Sequence, residues 1–361
     1  MPESTAQPIR RNDRATGGVG QAFQPGPNRQ VHVNGCLGRP GDADKLWRPL
    51  MLSTRREFLQ TGVVAAAAST MLEMLSADDR LPIVDCHTHF YDPTRPEGIP
   101  WPGKGDAVLY RTILPKQFLE QAAPVGVTKT IVVEASPRVE DNAWLLDLAA
   151  KNPSIIGVVG NLTPGRPEFA GHLKRFAANK LYRGIRVNHG AVKTGLDQPE
   201  FLADIKRLAE LGLELDVNGG PDMPADVARL AEKLPDLRIV INHLANADVD
   251  GTEPPGAWQD GMRAAAKHPG VFCKVSALVE HAKPKSGEKK VPEEVDFYRP
   301  ILDAIWSIFG DDRLIYGSNW PVSDRSASYK VLFSIVNQYV IARGKTTAEK
   351  FFWKNAHAAY L

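Results

Sequence analysis

The sequence predicts an α/β fold, a closed (β/α)8 barrel of the TIM type with one extra C-terminal helix, spanning residues 81–361. Two observations carry this. Short β-branched apolar runs alternate with helix-period stretches, which calls for a parallel sheet with helices laid against it. The runs also end in polar or charged residues, and in such barrels the chemistry sits at the C-terminal ends of the strands. The rival is an open doubly wound sheet. It requires a glycine-rich phosphate loop after a strand, and none of the runs has one.

The strands are read, in order, at 83–89, 129–135, 155–161, 184–188, 213–218, 238–243, 271–276 and 314–319. Helical patterns fill 141–151, 167–179, 200–211, 225–233, 257–267 and 296–309. A last helix over 346–360, opened by a capping box of Thr346 with Glu349, is expected to cover the outside of the barrel. The strand tips then present His87 and His89, Glu134, Asn161, Arg186 and Asn188, Asp216 and Asn218, His243, Lys274 and Ser276, and Asn319. On the first strand, alternation places Asp85, His87 and His89 on one face and Cys86 and Thr88 on the other. Two imidazoles so placed can grip one metal ion or one anionic substrate. Two long loops, 91–115 and 279–294, should cap the mouth. The first carries Trp101 and Tyr110 among prolines, which suits a pocket wall. The second holds Lys283, Lys285, Lys289 and Lys290, a solvated charge run or a steering patch for an acidic substrate.

Hydrophobic residues make up 43% of the chain and charged ones 24%, the balance of a globular protein. A net charge of +2 gives no electrostatic case for a nucleic-acid partner. Cys36, Cys86 and Cys273 fit neither a zinc spacing nor a disulfide framework. Residues 1–50, rich in Pro, Gly and Arg without periodicity, read as a disordered leader or an over-extended start. In 51–80, Arg55-Arg56 precedes a short apolar, alanine-rich stretch, the pattern of a twin-arginine export signal, which places the mature chain in the periplasm or outside the cell. Without export it would be cytoplasmic. The stretch is too short, and broken at Glu73, for a membrane span.

Taken together, Ile83-Val84-Asp85-Cys86-His87-Thr88-His89, Gly184-Ile185-Arg186, Ile241-Asn242-His243-Leu244, Cys273-Lys274-Val275-Ser276 and Tyr316-Gly317-Ser318-Asn319-Trp320-Pro321 resemble the amidohydrolase superfamily. The likeness is to its amidohydrolase-2 branch of metal-dependent hydrolases, which includes lactonases of sugar lactones and of pyrone carboxylates. The resemblance implies that His87 and His89 hold a carbonyl or lactone, directly or through a metal. It makes His243 the strand-6 histidine and Arg186 a clamp for a substrate carboxylate, a role suited to a planar guanidinium. Lys274, Trp101 and Asn188 join the substrate-binding set.

Two departures from the family pattern matter. The fifth strand ends without a histidine, and the eighth offers Asn319 where an aspartate is usual. An amide cannot take a proton at neutral pH and is a weak zinc ligand. Glu134 is then the substitute base, with Asp216 a second candidate, while Asp85 is expected to orient the histidines by hydrogen bonding. A divalent ion, zinc by preference, held by His87 and His89 and a metal-free reaction both stay open. The expected activity is hydrolysis of a lactone or cyclic ester of a small carboxylate or sugar acid. The alternatives are a metal-dependent decarboxylase and a non-catalytic periplasmic binder of small acids.

Overall fold

The computed structural model describes residues 81–284 and 290–361. Leader, signal segment, Cys36, Lys285 and Lys289 lie outside them. Eight parallel strands follow one another around the sheet: β1 (Val84–Thr88), β2 (Lys129–Val133), β3 (Ile155–Gly160), β4 (Tyr182–Asn188), β5 (Glu214–Asn218), β6 (Arg238–Ile241), β7 (Val271–Val275) and β8 (Leu314–Tyr316). The ring closes where Thr88 bridges Trp320 in parallel and the His89 N–H donates to the Trp320 carbonyl at 2.9 Å.

Helices α1 (Pro115–Ala122), α2 (Asp141–Lys151), α3 (Phe169–Ala177), α4 (His189–Gly195), α5 (Pro199–Glu210), α6 (Met223–Lys233), α7 (Gly256–Ala266), α8 (Val295–Phe309) and α9 (Tyr329–Ala342) come between and after the strands. Their apolar faces and the outward faces of the strands form one continuous core. This is the architecture expected of the alternating pattern. Helices α1, α4 and α9 have no counterpart in the sequence reading; Asn188 starts α4, its side-chain oxygen accepting the Ala191 N–H at 2.9 Å.

The expected alternation on β1 fails at one point. Val84 pairs with Lys129 and Asp85 with Thr130, but Thr88 pairs with Val132, so three steps on β1 oppose two on β2. This is a β-bulge, which turns the strand and re-aims its side chains. Cys86 accordingly packs inside the barrel, while Asp85 turns outward and accepts the Tyr329 hydroxyl from α9 at 2.9 Å. The Asp85 carboxylate also accepts the His87 N–H at 3.1 Å and the Ser318 N–H at 2.9 Å. It steers His87 through the backbone and ties β1 to the end of β8, rather than bonding an imidazole.

The C-terminal segment differs from expectation in two ways. It divides into α10 (Lys345–Glu349), a wide π turn (Lys350–Lys354) and α11 (Asn355–Tyr360). Phe351 and Phe352 are both buried, and the wide turn lets two adjacent rings face the core together. The N-cap is Gly344 with no side-chain cap; Thr347 donates to the distant Asp311 at 3.0 Å instead, tying the segment to the loop before β8. Nor does the segment lie on the outside. Ala356, Ala359 and Tyr360 pack against Val84, Cys86, Ile131, Val133, Val159, Val240, Phe272 and Ile315, the side chains that fill the barrel. Small residues on α11 let it approach, and Tyr360 plugs the floor. Burying large apolar side chains of this kind stabilises by about 1.5–3 kcal/mol each.

Candidate active site

The mouth of the barrel holds a solvent-open cavity of about 980 Å³ lined by His89, Trp101, Glu134, Asn161, Arg186, Asn218, His243, Asn246 and Asn319. His87 is fully buried and does not itself line this cavity; its ring centroid is 4.3 Å from that of His243 and 5.0 Å from that of His89, which both do. The three histidines named from the sequence therefore meet. Burial, reinforced by neighbouring positive groups, pushes His87 and His243 well below the usual imidazole range and lowers His89 to about 3. All three rings are neutral at neutral pH.

The Val133 carbonyl, 3.0 Å from His89 Nδ1, is an acceptor only. Nδ1 must donate to it, which leaves a lone pair on Nε2. Asn319 Oδ1 stands 3.3 Å from that nitrogen. Asn319, in left-handed backbone with φ 58°, is held in this sense by its other end: Nδ2 donates to Glu280 Oε1 at 2.9 Å. Glu280 went unnoticed in the sequence. Burial raises its pKa to about 7, and its second oxygen has no partner. The signal available was an acid-histidine pair, Glu280-His281, ending the apolar run Ala277-Leu278-Val279 just past β7.

His243 opens a turn whose residues His243, Leu244, Ala245 and Asn246 all have left-handed φ, at 56°, 52°, 55° and 49°. Such backbone costs a non-glycine residue on the order of 1–2 kcal/mol. The turn is held by the Trp258 indole N–H of α7, which donates to the Leu244 carbonyl at 2.8 Å, and by Asn246, which donates to Asn218 and Gly219. It brings His243 and Asn246 onto the cavity together. Ser276, a named strand tip, stands 2.8 Å from His243 Nδ1.

Other expected roles change with the geometry. Arg186 does face the cavity, but its Nη2 is 2.7 Å from Glu134 Oε1 and its Nε donates to the same oxygen at 2.9 Å. The two charges cancel, so Arg186 is not a free carboxylate clamp and Glu134 is not a free base. Asp216 and Lys274 are fully buried below the cavity and paired with each other at 2.5 Å. Neither reaches a substrate in the cavity. Asn188 is exposed and engaged as the α4 cap. Trp101 does form a wall, edge-on to His89 at 6.0 Å, whereas Tyr110 does not line the cavity. Lys283 is exposed on the rim of the second loop, 3.3 Å from Asp248.

A catalytic zinc normally has three strong protein ligands. His87, His89 and His243 meet, but among the described residues no group of three His, Cys, Asp or Glu side chains is arranged so that it could hold a metal ion. Asn319 takes the place of a carboxylate, and the Lys274 ammonium stands 3.4 Å from the His87 ring, where a second cation would be repelled. The expectation that His87 and His89 form a metal pair does not fit these surroundings.

Asp85 gives this region a pH signature. Burial raises it from 3.8 to about 6. A raised acid favours folding fully below its unfolded value, and this contribution is lost as pH climbs through the folded value. The shift corresponds to about 3 kcal/mol lost between pH 4 and 6. Asp85→Asn, neutral throughout, is expected to gain about that much relative to the parent between pH 4.5 and 7, measured by urea unfolding at both.

Histidines from the first and sixth strands meeting at the mouth of an eight-stranded barrel mark a hydrolytic barrel enzyme. Within that class the chain belongs to the amidohydrolase family, whose model matches residues 84–361. It is 32% identical over 243 residues to an L-fucono-1,5-lactonase from Burkholderia ambifaria, covering 66% of this chain and 80% of that protein. A second L-fucono-1,5-lactonase, from Burkholderia multivorans, is 28% identical over 288 residues, covering 75% and 92%. An amidohydrolase from Burkholderia multivorans, solved with bound zinc, superposes at a TM-score of 0.68 with 26% identity, covering 77% of this chain and 99% of that one. Among the described residues no helix is long and apolar enough to cross a membrane.

Proposed function

We propose that this hydrolase opens the ring of a neutral, hydroxyl-rich lactone of a sugar acid, without a resident metal. The observation that carries the substrate class is the neutralised Arg186–Glu134 pair, at 2.7 Å, in a cavity whose other lining residues carry no charged side chain. The Asn161 side-chain amide and Asn218 Nδ2 face the cavity with hydrogen-bonding capacity not used within the protein, which suits hydroxyl groups. A dicarboxylate would meet no uncompensated positive charge there. The named activity of the two lactonase relatives supports the same reading.

Two acceptors, His89 Nε2 and Asn319 Oδ1, stand close enough to receive both protons of one water molecule. That water turns its oxygen lone pairs toward a carbonyl carbon in the cavity. Attack transfers one proton to His89. The ring C–O bond then breaks, and the proton passes to the leaving oxygen, giving a hydroxy acid. A lactone is an activated ester, so a weak base serves. A metal-dependent decarboxylase would need a ligand set that the described residues do not assemble. Arg55-Arg56 and the apolar stretch after it support export from the cytoplasm.

The test is a substrate panel. Hydrolysis of L-fucono-1,5-lactone should exceed that of 2-pyrone-4,6-dicarboxylate by at least about a hundredfold in kcat/KM, equivalent to about 2.7 kcal/mol. Glu134→Gln, which frees the Arg186 charge, should narrow the gap by about tenfold. A preference for the dicarboxylate in the parent enzyme would overturn the reading.

A further inference from the structure

Beneath the cavity lies a buried group of charges that the lactone-opening chemistry above does not use. Lys274 on β7 is wholly inaccessible to solvent. Its Nζ is 2.5 Å from Asp216 Oδ2 on β5 and 3.4 Å from His87 Nδ1 on β1. The other Asp216 oxygen accepts the Tyr360 hydroxyl from the C-terminal plug at 2.8 Å. The Tyr360 ring also lies under the ammonium, 5.2 Å from Nζ. Glu214 on the same strand has no hydrogen-bond partner for either oxygen. Burial and the adjacent Asp216 push its pKa well up, which favours its neutral form.

An ammonium donates and never accepts. Since one direction of Lys274 is fixed on Asp216, the contact with His87 Nδ1 has only one workable sense: the lysine gives and the ring receives. A neutral imidazole carries one proton. With Nδ1 accepting, that proton must be on Nε2. His87 Nε2 is buried and has no partner within the protein. The ring that carries it packs against His243 and His89, both of which line the cavity. A buried donor without an acceptor is an unmet hydrogen bond, satisfied when an oxygen arrives.

His89 is held in the opposite sense. Its Nδ1 donates to Val133, and its Nε2 is the acceptor. We propose that Lys274 is a positioning residue that fixes the two strand-1 histidines as opposite tautomers, His87 an Nε2–H donor to the substrate carbonyl oxygen and His89 an acceptor for the attacking water. A metal pair needs a lone pair on both nitrogens; a donor–acceptor pair suits a carbonyl and a nucleophile. The same lysine that prepares His87 for an oxyanion bars it from a cation.

The tautomer assignment stands apart from the lactonase reading, on which only the kinetic arm rests. Two-bond ¹H–¹⁵N correlation spectra of the full chain, labelled at histidine, read the tautomers directly. The expected pattern is Nε2–H for His87 and Nδ1–H for His89, unchanged by added zinc chloride. Lys274→Met should allow His87 to populate the other tautomer and take up zinc. It should also lower kcat on L-fucono-1,5-lactone about a hundredfold, the loss typical of one oxyanion donor, with KM changed less than about threefold. An Nδ1–H or zinc-shifted His87 signal in the parent protein overturns the proposal, and that measurement needs no variant to fold. If the tautomers are as expected but no lactone is hydrolysed, the positioning role survives and the substrate reading falls.

Discussion

Replacing His89 with alanine is expected to lower kcat/KM on L-fucono-1,5-lactone about a thousandfold while leaving the barrel folded. The size follows from what the ring alone supplies. Of the cavity's hydrogen-bonding groups, the Glu134 carboxylate is bound to Arg186, Asn246 Nδ2 donates to Asn218, and His243 Nδ1 contacts Ser276. His89 Nε2 has its lone pair held toward the cavity by the bond from Nδ1 to Val133. The alanine variant loses both the proton acceptor and half of the water cradle. Small imidazoles added to the solution should restore part of the rate, since the space vacated opens on the cavity. Steady-state kinetics with circular dichroism as the folding control measures this. Activity within tenfold of the parent would show that the base lies elsewhere.

Asn319→Asp is expected to destabilise the chain by about 3 kcal/mol at pH 8 and much less at pH 5. In the native site the amide nitrogen donates to Glu280 at 2.9 Å. An aspartate offers an oxygen in its place, so two acceptors meet and only a shared proton can hold them together. Glu280 is already raised to about 7, from 4.5, by burial. Its contribution to stability is full below pH 4.5 and lost as pH rises through 7; a second carboxylate extends that loss to higher pH. The melting temperature at pH 8 should fall by about 6–12 °C, and by a small fraction of that at pH 5. Adding Glu280→Gln restores a donor between the two positions and should recover most of the stability, a coupling that a double-mutant cycle reads directly. Equal melting temperatures for parent and Asn319→Asp at pH 8 would refute the contact.

Periodicity and strand-end chemistry made the barrel legible. Period-2 and helix-period patterns are set by local backbone geometry, so the eight strands and the six helices read between them appear within a few residues of their expected places, whereas α1 and α9 were not read. The histidine cluster was legible for the same reason, because strand tips converge in any such barrel. What escaped depends on long-range partners. The β1 bulge is set by pairing with β2, and no pattern within residues 83–89 reveals an extra residue. Pairing of Arg186 with Glu134, and of Lys274 with Asp216, joins residues 52 and 58 positions apart. Each looked like a free charge until its partner was placed. Glu280 sits beyond a strand end, where no periodic pattern sets it apart from the other charged residues of its loop. The C-terminal segment has a helical composition throughout, but only contact with the floor of the barrel decides that it turns inward.

The left-handed turn at His243–Asn246 extends the reach of mutation beyond the cavity. Its conformation is one that its four side chains would abandon if released, and part of the restraint comes from Trp258, on an outer helix. A change of Trp258 to phenylalanine would leave every cavity side chain in the sequence, yet remove the hydrogen bond that keeps two of them facing inward. A survey of random variants scored by turnover would therefore mark part of α7 as functional, although that helix contributes none of the residues lining the cavity. The map of positions that drift freely and positions that do not would follow this turn outward, from the mouth of the barrel to its surface.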